Sequence, residues 1–98
     1  MSAGLRNNRA QNRFERDEGG HTAFITYHAA PGVIVFVHTE VPPALSGKGI
    51  GSGLVRDALE LARSQGLKVV PQCPFVAAYM HKHPEFDDLR GSCEGDRR

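Results

Sequence analysis

The chain has 98 residues, 40% of them hydrophobic and 23% charged, with a formal net charge of +1. A length of this order gives one small domain with room for one modest core and one site. So even a balance makes no electrostatic case for nucleic acid or a membrane surface as partner. No run approaches the ~18 apolar residues of a membrane span, and the polar start "MSAGLRNNRAQNRF" has no signal-peptide core.

The two cysteines, Cys73 and Cys93, do not form a disulfide framework, which points to a reduced compartment: the cytoplasm, or equally the nucleus or mitochondrion. Residues 1–8 and 91–98 are polar and are expected to be flexible ends around a domain at 9–90. Arg6, Arg9, Arg13 and Arg16 make the start basic, but Glu15, Asp17 and Glu18 follow closely, so a solvated edge is expected rather than a nucleic-acid arm.

"QNRFERDE" reads as a short edge strand ending at the Gly19-Gly20 turn. "HTAFITYH" alternates Ala23, Ile25 and Tyr27 against Thr22, Phe24 and Thr26, the period of a strand. A turn at Ala30-Pro31-Gly32 leads into "VIVFVHTEV", apolar on both faces until His38 and therefore expected to be a central strand covered on both sides. Together these three strands form an antiparallel meander, which Pro42-Pro43 ends because proline has no N–H for the ladder. From Ile50, the residues Leu54, Val55, Ala58, Leu61 and Ala62 recur at helical steps, with Gly66 as the stop signal. "LKVVP" is a short buried strand, and Pro74 opens a second helix, "PFVAAYMHKH", that ends before Pro84. The expected order is β-β-β-α-β-α, an α/β (α+β) domain with a mostly antiparallel sheet packed with two helices.

Between the central strand and the first helix, "VPPALSGKGIGSGLV" places glycine at 47, 49, 51 and 53. Glycine weakens a helix by roughly 1 kcal/mol relative to alanine, so a helix start this rich in it needs a reason. The first N–H groups of a helix lack internal partners and lie at the positive end of its dipole, and glycines open them to a phosphate or pyrophosphate. A Walker loop is excluded because Gly49 follows Lys48, and the dinucleotide fingerprint fails at Ser52 and Leu54. From the glycines alone, an ordinary glycine-rich turn stands beside the anion site as a reading.

The stretch "VPPALSGKGIGSGLVRDALELARSQGLKVVPQCPFVAAYMHKHPEF" resembles the GNAT superfamily of acyl-coenzyme A N-acyltransferases, in particular its short single-domain (YjdJ-like) branch. The superfamily pattern is a strand ending in Val-Pro, then [QR]-x-x-G-x-[GA], then the helix; here Gly49 and Gly51 fill the small positions and Ser46 stands where Arg or Gln is usual. The resemblance covers about residues 14–90. It implies a minimal acetyltransferase core whose loop amides hold the pyrophosphate of acetyl-coenzyme A while the preceding strand pairs with the pantetheine arm. The implied coenzyme-binding residues are Val41, Ser46, Gly47, Lys48, Gly49, Ile50, Gly51 and Ser52, with Lys82 meeting a phosphate. Ser46 gives up a side-chain contact but leaves the backbone cradle.

The implied function is acetyl-coenzyme A-dependent N-acetyltransfer to a primary amine, with a protein or peptide lysine as one acceptor class. A non-catalytic coenzyme A or acyl-CoA binding module, a sensor or adaptor, is the alternative. The extra N-terminal helices that build the acceptor pocket in longer relatives have no counterpart here, so an open, shallow acceptor side is expected.

Two residues are candidates for chemistry. Cys73 lies at the start of the second helix, where a thiolate is electrostatically favoured; the resemblance puts a cysteine here close to the coenzyme's thiol, as a transient acyl carrier, against a reading as a small buried filler. Tyr79 shares a helix face with Phe75 and His83, and many relatives use a tyrosine here as the general acid for the departing thiolate; a core aromatic with a wet tip is the alternative. Cys73, His81, His83 and Cys93 match no common zinc spacing, so no metal is expected. A hydrolase pairing Cys73 with His81 or His83 would need a histidine that points away along the helix. His28 and His38 read as strand-face residues, and Lys48 and Lys82 read equally as surface lysines.

Overall fold

The computed structural model describes residues 5–47 and 49–91. Five strands form one sheet: β1 Leu5–Asn8, β2 Arg13–Glu18, β3 His21–Ala30, β4 Val33–Glu40 and β5 Lys68–Pro71. They lie in the order β1-β2-β3-β4-β5, each pair antiparallel except β4 and β5, which are parallel. Helix α1, Ile50–Ser64, makes the crossover that a parallel pair requires, and α2, Pro74–Lys82, follows β5. The α+β architecture read from the sequence is the one observed.

Helix α1 buries Leu54, Val55, Ala58, Leu59 and Ala62 against Ile25, Ile34, Phe36 and Val69 of the sheet. Each fully buried large aliphatic side chain of that stripe contributes about 1.5–3 kcal/mol. The helix ends in a Schellman arrangement: Gly66 at φ 71° donates to Arg63 O, and Leu67 N donates to Ala62 O at 2.9 Å. Glycine is needed at Gly66 because a Cβ is disfavoured at that φ.

Three expectations are corrected. Residues 5–8 are not frayed but form β1, so "QNRFERDE" supplies an inner strand rather than an edge. What holds β1 lies far along the chain: Arg6 pairs with Glu15 and Asp17, Asn8 Nδ2 donates to Glu15 Oε2 at 2.9 Å, and Tyr27 Oη donates to Asn7 Oδ1 at 2.6 Å. The Arg6 and Arg13 guanidiniums are thus tied to carboxylates instead of being free. At the other end, Arg90 bridges to Val69 and Gly91 N donates to Val69 O at 2.7 Å, so the chain stays docked through residue 91.

The third correction concerns β4. It is central in the hydrogen-bond ladder but covered on one face only. Ile34 and Phe36 enter the core with both helices, whereas Val33 and Val35 are half-buried and lie outside that core. Both helices pack the same face, because α2 returns on the side that the α1 crossover already occupies. The apolar second face packs against its cross-strand neighbours instead.

Two features of β4 prepare a site. The β3–β4 register slips by one between Thr26↔His38 and Tyr27↔Phe36, leaving Val37 as an extra, bulged residue. On the other side β5 pairs only with Val33–Phe36, and Cys73 N donates the last bond, to Phe36 O at 2.9 Å. Pro71 has no N–H to extend the ladder and Pro74 turns the chain into α2. From Val37 to Glu40, β4 therefore has no strand partner on its β5 side among the described residues.

Candidate functional site

Past Glu40, the chain makes a single 3-10 turn, Pro43–Leu45, anchored by the buried side chain of Leu45. Gly47 and Gly49 follow at φ 80° and 75°, and a Cβ at either would meet nothing within 4 Å. These two glycines are there for the left-handed backbone. Gly49 caps α1 with no side-chain hydrogen bond, and the first helical bond runs from Gly53 N to Gly49 O at 3.0 Å. The N–H groups of Ile50, Gly51 and Ser52 accordingly have no acceptor inside the helix, and no acidic side chain sits in that first turn. A hollow of about 330 Å³ opens over them, lined by Val41, Leu45, Ser46, Gly47, Gly49, Ile50, Gly51, Ser52 and Phe75. Donors, dipole and the absence of a carboxylate fit an anionic group.

Gly51 is small for another reason. It is buried, and a Cβ there would lie 2.9 Å from Phe75 Cζ and 3.1 Å from Val41 Cγ2. Removing the side chain lets the Phe75 ring close over the loop. Of the four alternating glycines, Gly47 and Gly49 are left-handed positions, Gly51 is a packing position, and a Cβ at Gly53 would lie 3.0 Å from Arg16 Nη1.

Cys73 caps α2 and is 3% exposed, with its Sγ 3.3 Å from Thr39 Oγ1. That contact brings the thiol to the unpartnered end of β4. Its partner is a threonine, not a histidine.

Tyr79 opens elsewhere. With Ser52, Phe75, Ala78, Lys82 and His83 it lines a groove of about 270 Å³ between α1 and α2. Its ring stacks on His83 with centroids 4.0 Å apart, and burial pushes its hydroxyl pKa up, opposed by the nearby Arg56 charge. The charged groups around the hydroxyl are Arg56, Asp57 and Glu60 of α1, and Glu85. None belongs to β4.

Of the residues singled out from the sequence, Val41, Ser46, Gly47, Gly49, Ile50, Gly51 and Ser52 line one hollow, and Tyr79 and Lys82 line the adjoining groove. Cys73 stands apart, at the strand end. The expectation for Lys48, like that for Cys93, lies outside the described residues. No group of histidine, cysteine or carboxylate side chains suited to a metal occurs among the described residues. Nor is any described helix long and apolar enough to cross a membrane. Sequence reasoning missed Thr39, whose alternation partner His38 drew attention instead. It also missed Phe75 as the wall shared by both hollows, although its i, i+4 spacing to Tyr79 was the available signal.

Comparison with known proteins identifies a family and a fold. Residues 13–89 match the family model of the GCN5-related N-acetyl-transferases. A GCN5-like protein from Staphylococcus aureus, solved by NMR, is similar over 98% of this chain and 97% of its own, at 28% identity and a TM-score of 0.68. The family match runs from β2 through Leu89, including the loop, the open end of β4 and both helices: the chain belongs to the GCN5-related N-acetyltransferase family.

Proposed function

We propose that this protein binds acetyl-coenzyme A and transfers the acetyl group to a primary amine, with a lysine of a protein or peptide as the acceptor class. One observation carries the reading: the anion-ready loop and the unpartnered end of β4 are joined through Val41, which lines the loop hollow. In this reading the amides of Ile50, Gly51 and Ser52 hold the pyrophosphate. The open edge of Val37–Glu40 pairs with the pantetheine amides, and the thioester lies beside Thr39 and Cys73. The uncovered sheet face leaves the acceptor side open, which suits an extended chain better than a small enclosed amine.

The acceptor nitrogen attacks the thioester carbonyl carbon, the carbon–sulfur bond breaks, and coenzyme A departs as thiolate. The proton lost by nitrogen balances the one that sulfur gains. Proximity of amine and thioester supplies several kcal/mol of the barrier. A thiol buried to 3% exposure and hydrogen-bonded to Thr39 fits a residue that positions the acyl end better than an acyl carrier, since reactive thiols are partly exposed. Tyr79, facing α1, receives no proton-transfer step. Turnover of acetyl-coenzyme A with a lysine-containing peptide, followed by release of free thiol, tests the proposal. Saturable binding with no thiol release above the uncatalysed rate would leave a coenzyme-binding module and no transferase.

A further inference from the structure

We infer that a separate cavity, at the opposite end of α1 from the glycine loop, binds a small monocarboxylate with a compact apolar body. The cavity holds about 310 Å³, with Phe14, Tyr27 and Ile34 on its apolar side and Arg9, Asn12 and Gln65 on its polar side. That volume lies at the low end for ligand cavities and suits an acid built on a single ring. Helix α1 has 15 residues, so its two ends lie about 22 Å apart. The site is therefore independent of the coenzyme reading.

Arg9 supplies the charge. Arg6, Arg13, Arg16 and Arg63 each face a carboxylate, whereas Arg9 enters no ion pair among the described residues. Among the described residues no carboxylate lines the cavity, so an anion meets no like charge there. The negative end of α1 is also muted, because Gly66 N donates to Arg63 O at 3.1 Å and Leu67 N to Ala62 O at 2.9 Å. The side-chain amides of Asn12 and Gln65 add N–H donors beside the guanidinium.

The turn carrying Arg9 is held in place. Asn12 stands at φ 54°, in the left-handed region that favours glycine. Asn12 N donates to Arg9 O at 3.3 Å, and Tyr27 N donates to Asn12 O at 2.8 Å, which ties the turn to β3. Backbone strain of this kind collects at ligand sites. Opposite it, Phe14 and Tyr27 stack with centroids 4.7 Å apart, and Tyr27 Oη already donates to Asn7 Oδ1 at 2.6 Å. That wall offers apolar contact, so the ligand's polar group is the one that faces Arg9.

The test titrates benzoate, benzamide and acetate into the ¹⁵N-labelled intact protein. Benzoate should bind saturably in the millimolar range, as suits a ligand of about nine non-hydrogen atoms, and should shift the Asn12, Tyr27, Ala29 and Leu67 amides. Benzamide, similar in shape but uncharged, should bind about fivefold more weakly, as expected for one exposed charge contact. Acetate, with no apolar body, should not saturate in that range. Arg9→Gln should bring benzoate and benzamide close to equal. Ala29→Ile fills the cavity with a good strand former and should weaken both about tenfold. Benzoate shifts confined to the Gly49, Ile50, Gly51 and Ser52 amides would move the carboxylate to the loop and overturn the proposal. Equal binding of benzoate and benzamide to the unaltered protein, unchanged binding to Ala29→Ile, or no saturable shift of the cavity amides would overturn it as well.

Discussion

Replacing Gly51 by alanine puts one methyl group into a tightly packed corner of the loop. The added Cβ would sit 2.9 Å from Phe75 Cζ and 3.1 Å from Val41 Cγ2, against about 3.5–4.0 Å for an ordinary carbon contact. The overlap with the ring tip is roughly 0.6 Å or more, and overpacking of this kind costs about 1–3 kcal/mol. Alanine returns about 1 kcal/mol of helix propensity, leaving a net loss between nearly nothing and about 2 kcal/mol. The ring can yield because Phe75 is 42% exposed, so the change should appear mainly as a displaced Phe75 and a weaker grip on coenzyme A. Gly49→Ala is the control: its Cβ meets nothing, but φ 75° costs about 1–2 kcal/mol for any L side chain. Urea unfolding gives the stabilities, and aromatic NMR shifts report the ring. A Gly51→Ala protein stabilised by the full propensity gain, with unmoved Phe75 resonances, would refute the packing account of this glycine.

Ser46→Arg should tighten coenzyme A by about 1 kcal/mol in low salt, with the gain shrinking as salt is added; calorimetry at two ionic strengths checks it, and equal affinities would mean that the position does not face the pyrophosphate. Glu15 is held at a pKa of about 2, first by the Asn8 amide and then by the Arg13 and Arg6 guanidiniums, against its ordinary 4.5. Because the folded-state value is depressed, the stabilisation is present above pH 4.5 and is lost as pH falls toward 2. Glu15→Gln should therefore flatten the acid limb of the stability–pH curve and cost about 1.5–3 kcal/mol at pH 7. Cys73→Ala should keep most of kcat and lose about 1 kcal/mol of stability. The protein incubated with acetyl-coenzyme A alone should show no hydroxylamine-sensitive acetyl on Cys73; label forming at the rate of turnover would restore the acyl-carrier route. Tyr79→Phe, which keeps the stacked ring, should leave kcat within about threefold, and a hundredfold loss would return the acid role to its hydroxyl.

Much of the fold is legible because its signals are local. The α1 stripe, the Gly66 stop, the Pro31-Gly32 turn and the Pro74 start each lie within a few residues of what they specify. β1 is not legible in this way, since "LRNN" becomes a strand only through Glu15, Asp17 and Tyr27, which the sequence does not place opposite it. The open second face of β4 is hidden for a similar reason: Val33 and Val35 read as core until the helices are known to share one side. The loop of the site is recognisable from its glycine spacing, but the role of each glycine is not. Gly51 answers to Phe75, 24 positions along the chain, counted from 51 to 75. The Val37 bulge and the early end of β5, which together expose the strand, depend on register and leave no residue pattern of their own.

The central claim is that one ligand spans the α1 loop and the open end of β4. Titration of the ¹⁵N-labelled protein with coenzyme A tests it most directly. The account predicts saturable shifts of the Gly47, Gly49, Ile50, Gly51 and Ser52 amides together with those of Val37–Glu40 and Cys73, while β1 and β2 stay still. Absence of shifts at millimolar coenzyme A, or shifts confined to residues away from both the loop and the end of β4, would contradict it.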